Sequence, residues 1–145
     1  MHPTKLFTVE RAQRALVYIR PILDQMCATY RDFKRVQDEV MSNLNMSLEA
    51  KEAMIAGMKA MRDEVNGCID EIVKTGASVK DLDTGLVDFS HTRADGEIVV
   101  LCYKLGEPEI LYWHTKTEGV SGRRPLSELN EVAPAATADS GDVNF

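Results

Sequence analysis

The chain lacks most of the patterns that announce a particular chemistry. It has no GxSxG elbow, no glycine-rich phosphate loop leading into a helix, and no HExxH or HxH pair, so serine-hydrolase, P-loop and zincin arrangements have no footing. Cysteine is scarce: Cys27, Cys68 and Cys102 are odd in number, far apart and without a CxxC pair. A thiolate zinc site is therefore not expected, and the three read as buried free thiols. Basic residues are outnumbered, 17 against 23 acidic, for a net charge of −6. That balance argues against nucleic acid and against an anionic membrane surface as partners. No apolar run approaches the ~20 residues of a membrane span. The first residues, MHPTKLFTVERA, carry no apolar signal-peptide core, which predicts a cytoplasmic protein.

What is present is ordinary globular material: 145 residues, 44% hydrophobic and 28% charged, enough for one domain with its own core. Thr8 before Glu10 reads as a helix start. Apolar residues then recur at Val9, Ala12, Leu16, Ile19, Leu23, Met26, Tyr30, Phe33, Val40 and Leu44, in steps of three and four that only Gln37 interrupts. This predicts one long helix from Val9 to about Asn43, kinked or broken near Arg20 by Pro21. Ser47 caps a second helix with a seam at Met54, Met58, Met61, Val65, Cys68 and Ile72, stopped by Gly76. Two such helices form an antiparallel hairpin. The small residues Ala53, Gly57 and Ala60 beside the second seam leave room for another helix, and a homodimer is expected to cover what the sheet does not.

Three runs then have strand character: Leu86–Phe89, Glu97–Tyr103 and Glu109–His114, separated by Ala94-Asp95-Gly96 and Leu105-Gly106-Glu107-Pro108. They predict an antiparallel meander with EIVVLCY in the middle. Pairing Ser90 with Glu97 and Lys104 with Glu109 puts Val87, Phe89, Ile98, Val100, Cys102, Leu111 and Trp113 on the helix-facing side. The other face then carries Leu86, Asp88, Val99, Leu101, Tyr103, Ile110, Tyr112 and His114, with Asp88 and His114 flanking Val99. A one-residue slip would exchange the faces of a strand.

The segments LFTVERA, DLDTGLVDF, LCYKLGEPEILYWH and GRRPL resemble the bacterial family catalogued as domain of unknown function 2203, over about Leu6 to Leu126. The resemblance implies no established activity. It marks Asp81, Asp83, Gly85, Asp88, Gly106, Glu107, His114, Gly122, Arg123 and Pro125 as part of the family pattern. Arg11, Tyr103 and Val120 depart from it, standing where the family commonly has an acidic residue, tryptophan and phenylalanine.

The fold expected is α+β: a long antiparallel helical hairpin, about 8–76, packed on a small three-stranded antiparallel meander. The sheet and site region occupies about 79–126 of a single domain, 1–128, and a disordered tail covers 129–145. Asp81, Asp83, Asp88 and His114 form the candidate metal set, since carboxylates with an imidazole suit Mn, Fe or Zn. The competing reading has Asp81 and Asp83 shaping the turn. Glu107, Arg123 and Tyr112 are the candidate ligand-binding residues. Glu107 is a general base if its turn covers the polar face, or else a solvated turn residue. Arg123 or Arg124 clamps a small anionic ligand or pairs with the acids near Asp81 to Asp88. His91, in the turn, is expected to be exposed. Two functions follow: a small-ligand or divalent-metal-binding protein with its site on the free face of the sheet, or a non-catalytic assembly module acting through a dimerising hairpin. No spacing demands an enzyme.

Overall fold

The computed structural model describes residues 5–130. Helix α1 spans Val9–Ser42 and α2 spans Leu48–Lys74. The caps are the ones the sequence offers: Thr8 Oγ1 accepts from Arg11 N at 3.1 Å and Ser47 Oγ from Ala50 N at 3.1 Å, each satisfying an otherwise orphaned donor. Gly76, at φ +101°, ends α2 in a left-handed conformation that disfavours a Cβ. Helix α1 runs unbroken through Pro21. The carbonyl that Pro21 leaves without a bond is that of Val17, a residue 72% exposed, on a side of the helix where water can take the acceptor.

The sheet is larger than three strands. Five antiparallel strands lie in sequence order: β1 (Ser78–Asp81), β2 (Leu86–Thr92), β3 (Ile98–Lys104), β4 (Tyr112–His114) and β5 (Arg124–Pro125). The added edge strands are two and four residues long, too short and too polar to announce themselves by alternation. The third expected strand is shorter than Glu109–His114 for a physical reason. The side chain of Gln13 on α1 takes both backbone groups of Ile110, donating to its carbonyl at 2.9 Å and accepting from its N–H at 3.0 Å. A helix side chain thus substitutes for a ladder partner.

Register corrects the expected faces. Asp88 pairs with Cys102, Ser90 with Val100, and both continue onto β4 as Cys102 with Tyr112 and Val100 with His114. The residues of β2 and β4 face as expected, but the central strand is turned over, and Ile110 ahead of β4, expected on the free face, lies in the core. Val99, Leu101 and Tyr103 are buried in the core with Val87, Phe89 and Trp113, against Leu16, Ile19 and Leu23 of α1. Cys102 and Val100 instead share the opposite face with Asp88 and His114. An all-apolar strand gives no alternation by which to choose its face.

The core ends before the hairpin does. Between Cys27 on α1 and Val65 on α2 no residue is buried, and Leu44 at the tip is 90% exposed. The seam residues Met54, Met58 and Met61 are half-buried, covered by α1 alone on one side. His91 is not exposed: it lies in the core layer, 9% accessible, with Nδ1 2.8 Å from the Phe7 carbonyl. Leu129, the first residue of the expected tail, packs into the core at 3% exposure. Asn130 accepts from Ala94 N at 3.0 Å, and residues 131–145 of that tail lie outside the described residues. No helix among the described residues is long and apolar enough to cross a membrane.

Candidate functional site

On the face of the sheet away from α1, Asp88, Cys102 and His114 converge. Cys102 stands across the ladder from Asp88, and His114 lies one diagonal position away on β4, a separation that side chains bridge. A carboxylate oxygen, the Cys102 Sγ and a ring nitrogen of His114 lie within 4.8 Å of one another. Tetrahedral zinc holds its ligand atoms ~3.5 Å apart, so the three need close by only about an ångström. Cys102 and His114 are buried and Asp88 is half-buried.

The imidazole is held by a backbone bond. His114 Nδ1 is 2.7 Å from the Thr115 carbonyl, which can only accept, so Nδ1 carries the proton and Nε2 the lone pair. Metal-ligating histidines are commonly oriented by such a bond from the other nitrogen. The same bond argues against a Cys–His–Asp nucleophilic triad, where one nitrogen faces the thiol and the other the carboxylate. Here the Thr115 carbonyl occupies Nδ1, so a single ring nitrogen is left and cannot serve both the thiol and the carboxylate. Burial also pushes the Cys102 thiol up to about 11, with Arg123 opposing and Asp88 and Glu107 adding to it, the reverse of an activated nucleophile. Burial likewise raises the Asp88 carboxyl, while His114, Lys80 and Arg123 pull it back.

Arg123, Glu107 and Tyr112 form a second group beside the first. Arg123 Nη2 donates to Glu107 Oε1 at 2.7 Å and to the Cys102 carbonyl at 3.2 Å, and its guanidinium stacks 4.3 Å from the Tyr112 ring. Glu107 Oε1 also accepts from Lys104 N at 2.7 Å. Glu107 is therefore an ion-pair anchor for the β3–β4 turn, with no lone base over the polar face. Arg123 braces the strand behind Cys102, and its partner is Glu107 where the acids near Asp81 to Asp88 were the alternative. Arg124 pairs with Glu118 at 2.8 Å.

Asp81 and Asp83 do not join the cluster. Asp81 Oδ2 accepts from the backbone N–H of Thr84 at 2.9 Å and from its hydroxyl, bonds that hold its carboxyl below the usual range. Asp83 pairs with Lys34 of α1. Both carboxylates shape or tether the turn into β2. Of the four residues in the candidate metal set, Asp88 and His114 are brought together, and Cys102 takes the place of the other two.

The cluster forms the floor of a cleft of about 1140 Å³ walled by the last turns of α2, by β1 and by the segment Lys116 to Val120. Lys5, Lys74, Lys80 and Lys116 line it, against Asp70 and Asp88. Lys5 is occupied by the Thr75 carbonyl at 3.1 Å.

A family described as "Uncharacterized conserved protein (DUF2203)" matches residues 5–126. The chain belongs to this family. No curated protein and no solved structure matches it. In this DUF2203 chain the cluster on the sheet is Asp88, Cys102 and His114.

The residue missed from the sequence is Cys102, and a signal for it existed. In the β2–β3 hairpin Arg93 N donates to Glu97 O at 2.8 Å and Gly96 N to Arg93 O at 2.9 Å, with Gly96 at φ +92°. This is the three-residue loop whose last position favours glycine. Reading Ala94-Asp95-Gly96 that way pairs Arg93 with Glu97, and counting back puts Cys102 opposite Asp88.

Proposed function

We propose that this protein binds a divalent cation through Asp88, Cys102 and His114 on the free face of its sheet. The observation that carries this is the convergence of one oxygen, one sulfur and one nitrogen ligand on a single point at the floor of a cleft. A thiolate in the set favours zinc over manganese, and three protein ligands leave a coordination position open. Arg123 and Glu107 hold Cys102's strand, and Thr115 orients His114. In this reading the protein works in the cytosol, whose reducing conditions keep Cys27, Cys68 and Cys102 as thiols.

The test is metal titration of chelator-treated protein, followed by calorimetry. Wild-type protein is expected to take one zinc per chain, and His114→Ala to lose it while keeping its far-ultraviolet circular dichroism. Equal zinc uptake by wild type and His114→Ala would refute the assignment.

One observation favours a second, compatible reading, in which the hairpin assembles a homodimer. Between Cys27 and Val65 no residue of the two helices is buried, and Gly57 has nothing within 4 Å of where a Cβ would stand. A second hairpin laid against this overhang would supply the missing layer.

A further inference from the structure

We propose that the cleft above Asp88, Cys102 and His114 takes a small phosphate monoester, whose phosphate sits among Lys74, Lys80 and Lys116. This rests on the metal reading of the floor and extends it to the ligand.

The first support is the charge of the cleft. The chain carries a net charge of −6, yet the cleft collects four lysines against two aspartates. Among the described residues Lys74, Lys80 and Lys116 form no ion pair, although acidic side chains are in excess. Unpaired cations gathered in a concave site create a local positive field that draws anions. With Asp88 and Cys102 neutralising a bound dication, the lysine rim dominates that field.

The chemistry of the rim selects among anions. A carboxylate is best recognised by the planar fork of arginine, whereas lysine serves phosphate as a point charge. The cleft has no arginine in its lining, and the nearby Arg123 is committed to Glu107. Size argues for an ester over the free ion: about 1140 Å³ is more than the roughly 300–1,000 Å³ of pockets that enclose whole small molecules. Leu86, Val100 and Val120 in the lining give the organic part an apolar surface.

The test uses the full chain loaded with cobalt(II), whose visible spectrum reports a change at the open coordination position. Glycerol 3-phosphate, inorganic phosphate and acetate are titrated in turn into wild type and into the double variant Lys80→Gln/Lys116→Gln. The expected result is a spectral shift with glycerol 3-phosphate that is at least tenfold weaker in the lysine variant, with cobalt affinity unchanged. Acetate binding as tightly, or a response indifferent to the lysines, would overturn the proposal. Inorganic phosphate binding equally well would replace the ester with the free ion. If wild-type protein takes up no cobalt, the metal reading fails on its own. Calorimetry with glycerol 3-phosphate on the metal-free chain then decides: lysine-dependent binding supports the cleft assignment, and no binding overturns it.

Discussion

Cys102 stands directly across the β2–β3 ladder from Asp88, on the face of the sheet turned away from α1. That pairing puts a thiol between a carboxylate and an imidazole, and in the proposed metal site it would set the preference among ions. Replacing Cys102 by serine removes the soft ligand and keeps the shape. Cys102→Ser is expected to lower zinc affinity by roughly a hundredfold or more while changing manganese affinity far less, since manganese prefers oxygen. Competitive calorimetry with both ions measures the difference. An equal loss for both would mean that sulfur is not a ligand.

The same thiol makes stability fall at high pH in the metal-free protein. Burial raises Cys102 from 9.0 to about 11, so the unfolded thiol ionises first. Between those values the folded state holds more protons than the unfolded state, and stability drops as pH rises through the window. Below pH 9 the contribution is fully present. Denaturation at a series of pH values should show this slope in wild type and a shallower one in Cys102→Ala. Cys27 and Cys68 are also raised by burial, so part of the slope persists.

Glu107 and Arg123 are mostly buried, with side chains 17% and 18% exposed. Glu107→Ala strands the Arg123 charge and frees the β3–β4 turn. It is expected to cost about 2 to 3 kcal/mol, read by urea denaturation. Because the two act as a unit, the double variant with Arg123→Ala should cost less than the sum of the singles. Strict additivity would show that the pair is not coupled.

Assembly through the hairpin is tested at Met58, half-buried on the overhang. Met58→Lys should shift a dimer toward monomer in analytical ultracentrifugation while keeping the helical circular dichroism of the chain. Ile19 is unsuitable for this purpose: it is fully buried beneath the sheet, and a charge there would unfold the chain. An unchanged sedimentation coefficient for Met58→Lys, in a protein shown to be dimeric, would place the interface elsewhere.

The helical half was legible because helices are local. Capping residues, a seam repeating in steps of three and four, and a terminal glycine act within a few residues of each other, so periodicity predicted α1 and α2 nearly to their ends. The facing of β2 and β4 was legible as well, since Asp88 and His114 sit at alternate positions to Val87, Phe89 and Trp113. The central strand was not, because Ile98 to Tyr103 is apolar at both parities and alternation is silent there. Its face was decided by the β2–β3 loop and by the helix layer, which takes in Val99, Leu101 and Tyr103. Distance in the chain hid the rest: Gln13 closing on Ile110, Lys34 claiming Asp83, and Glu107 holding Arg123. By itself, then, the sequence settled two capped helices, a meander and the placing of Asp88 and His114 on one face. Only the tertiary structure put Cys102 between them and drew Asp81 and Asp83 away, because cross-strand register and ion-pair choice depend on which elements come together in space.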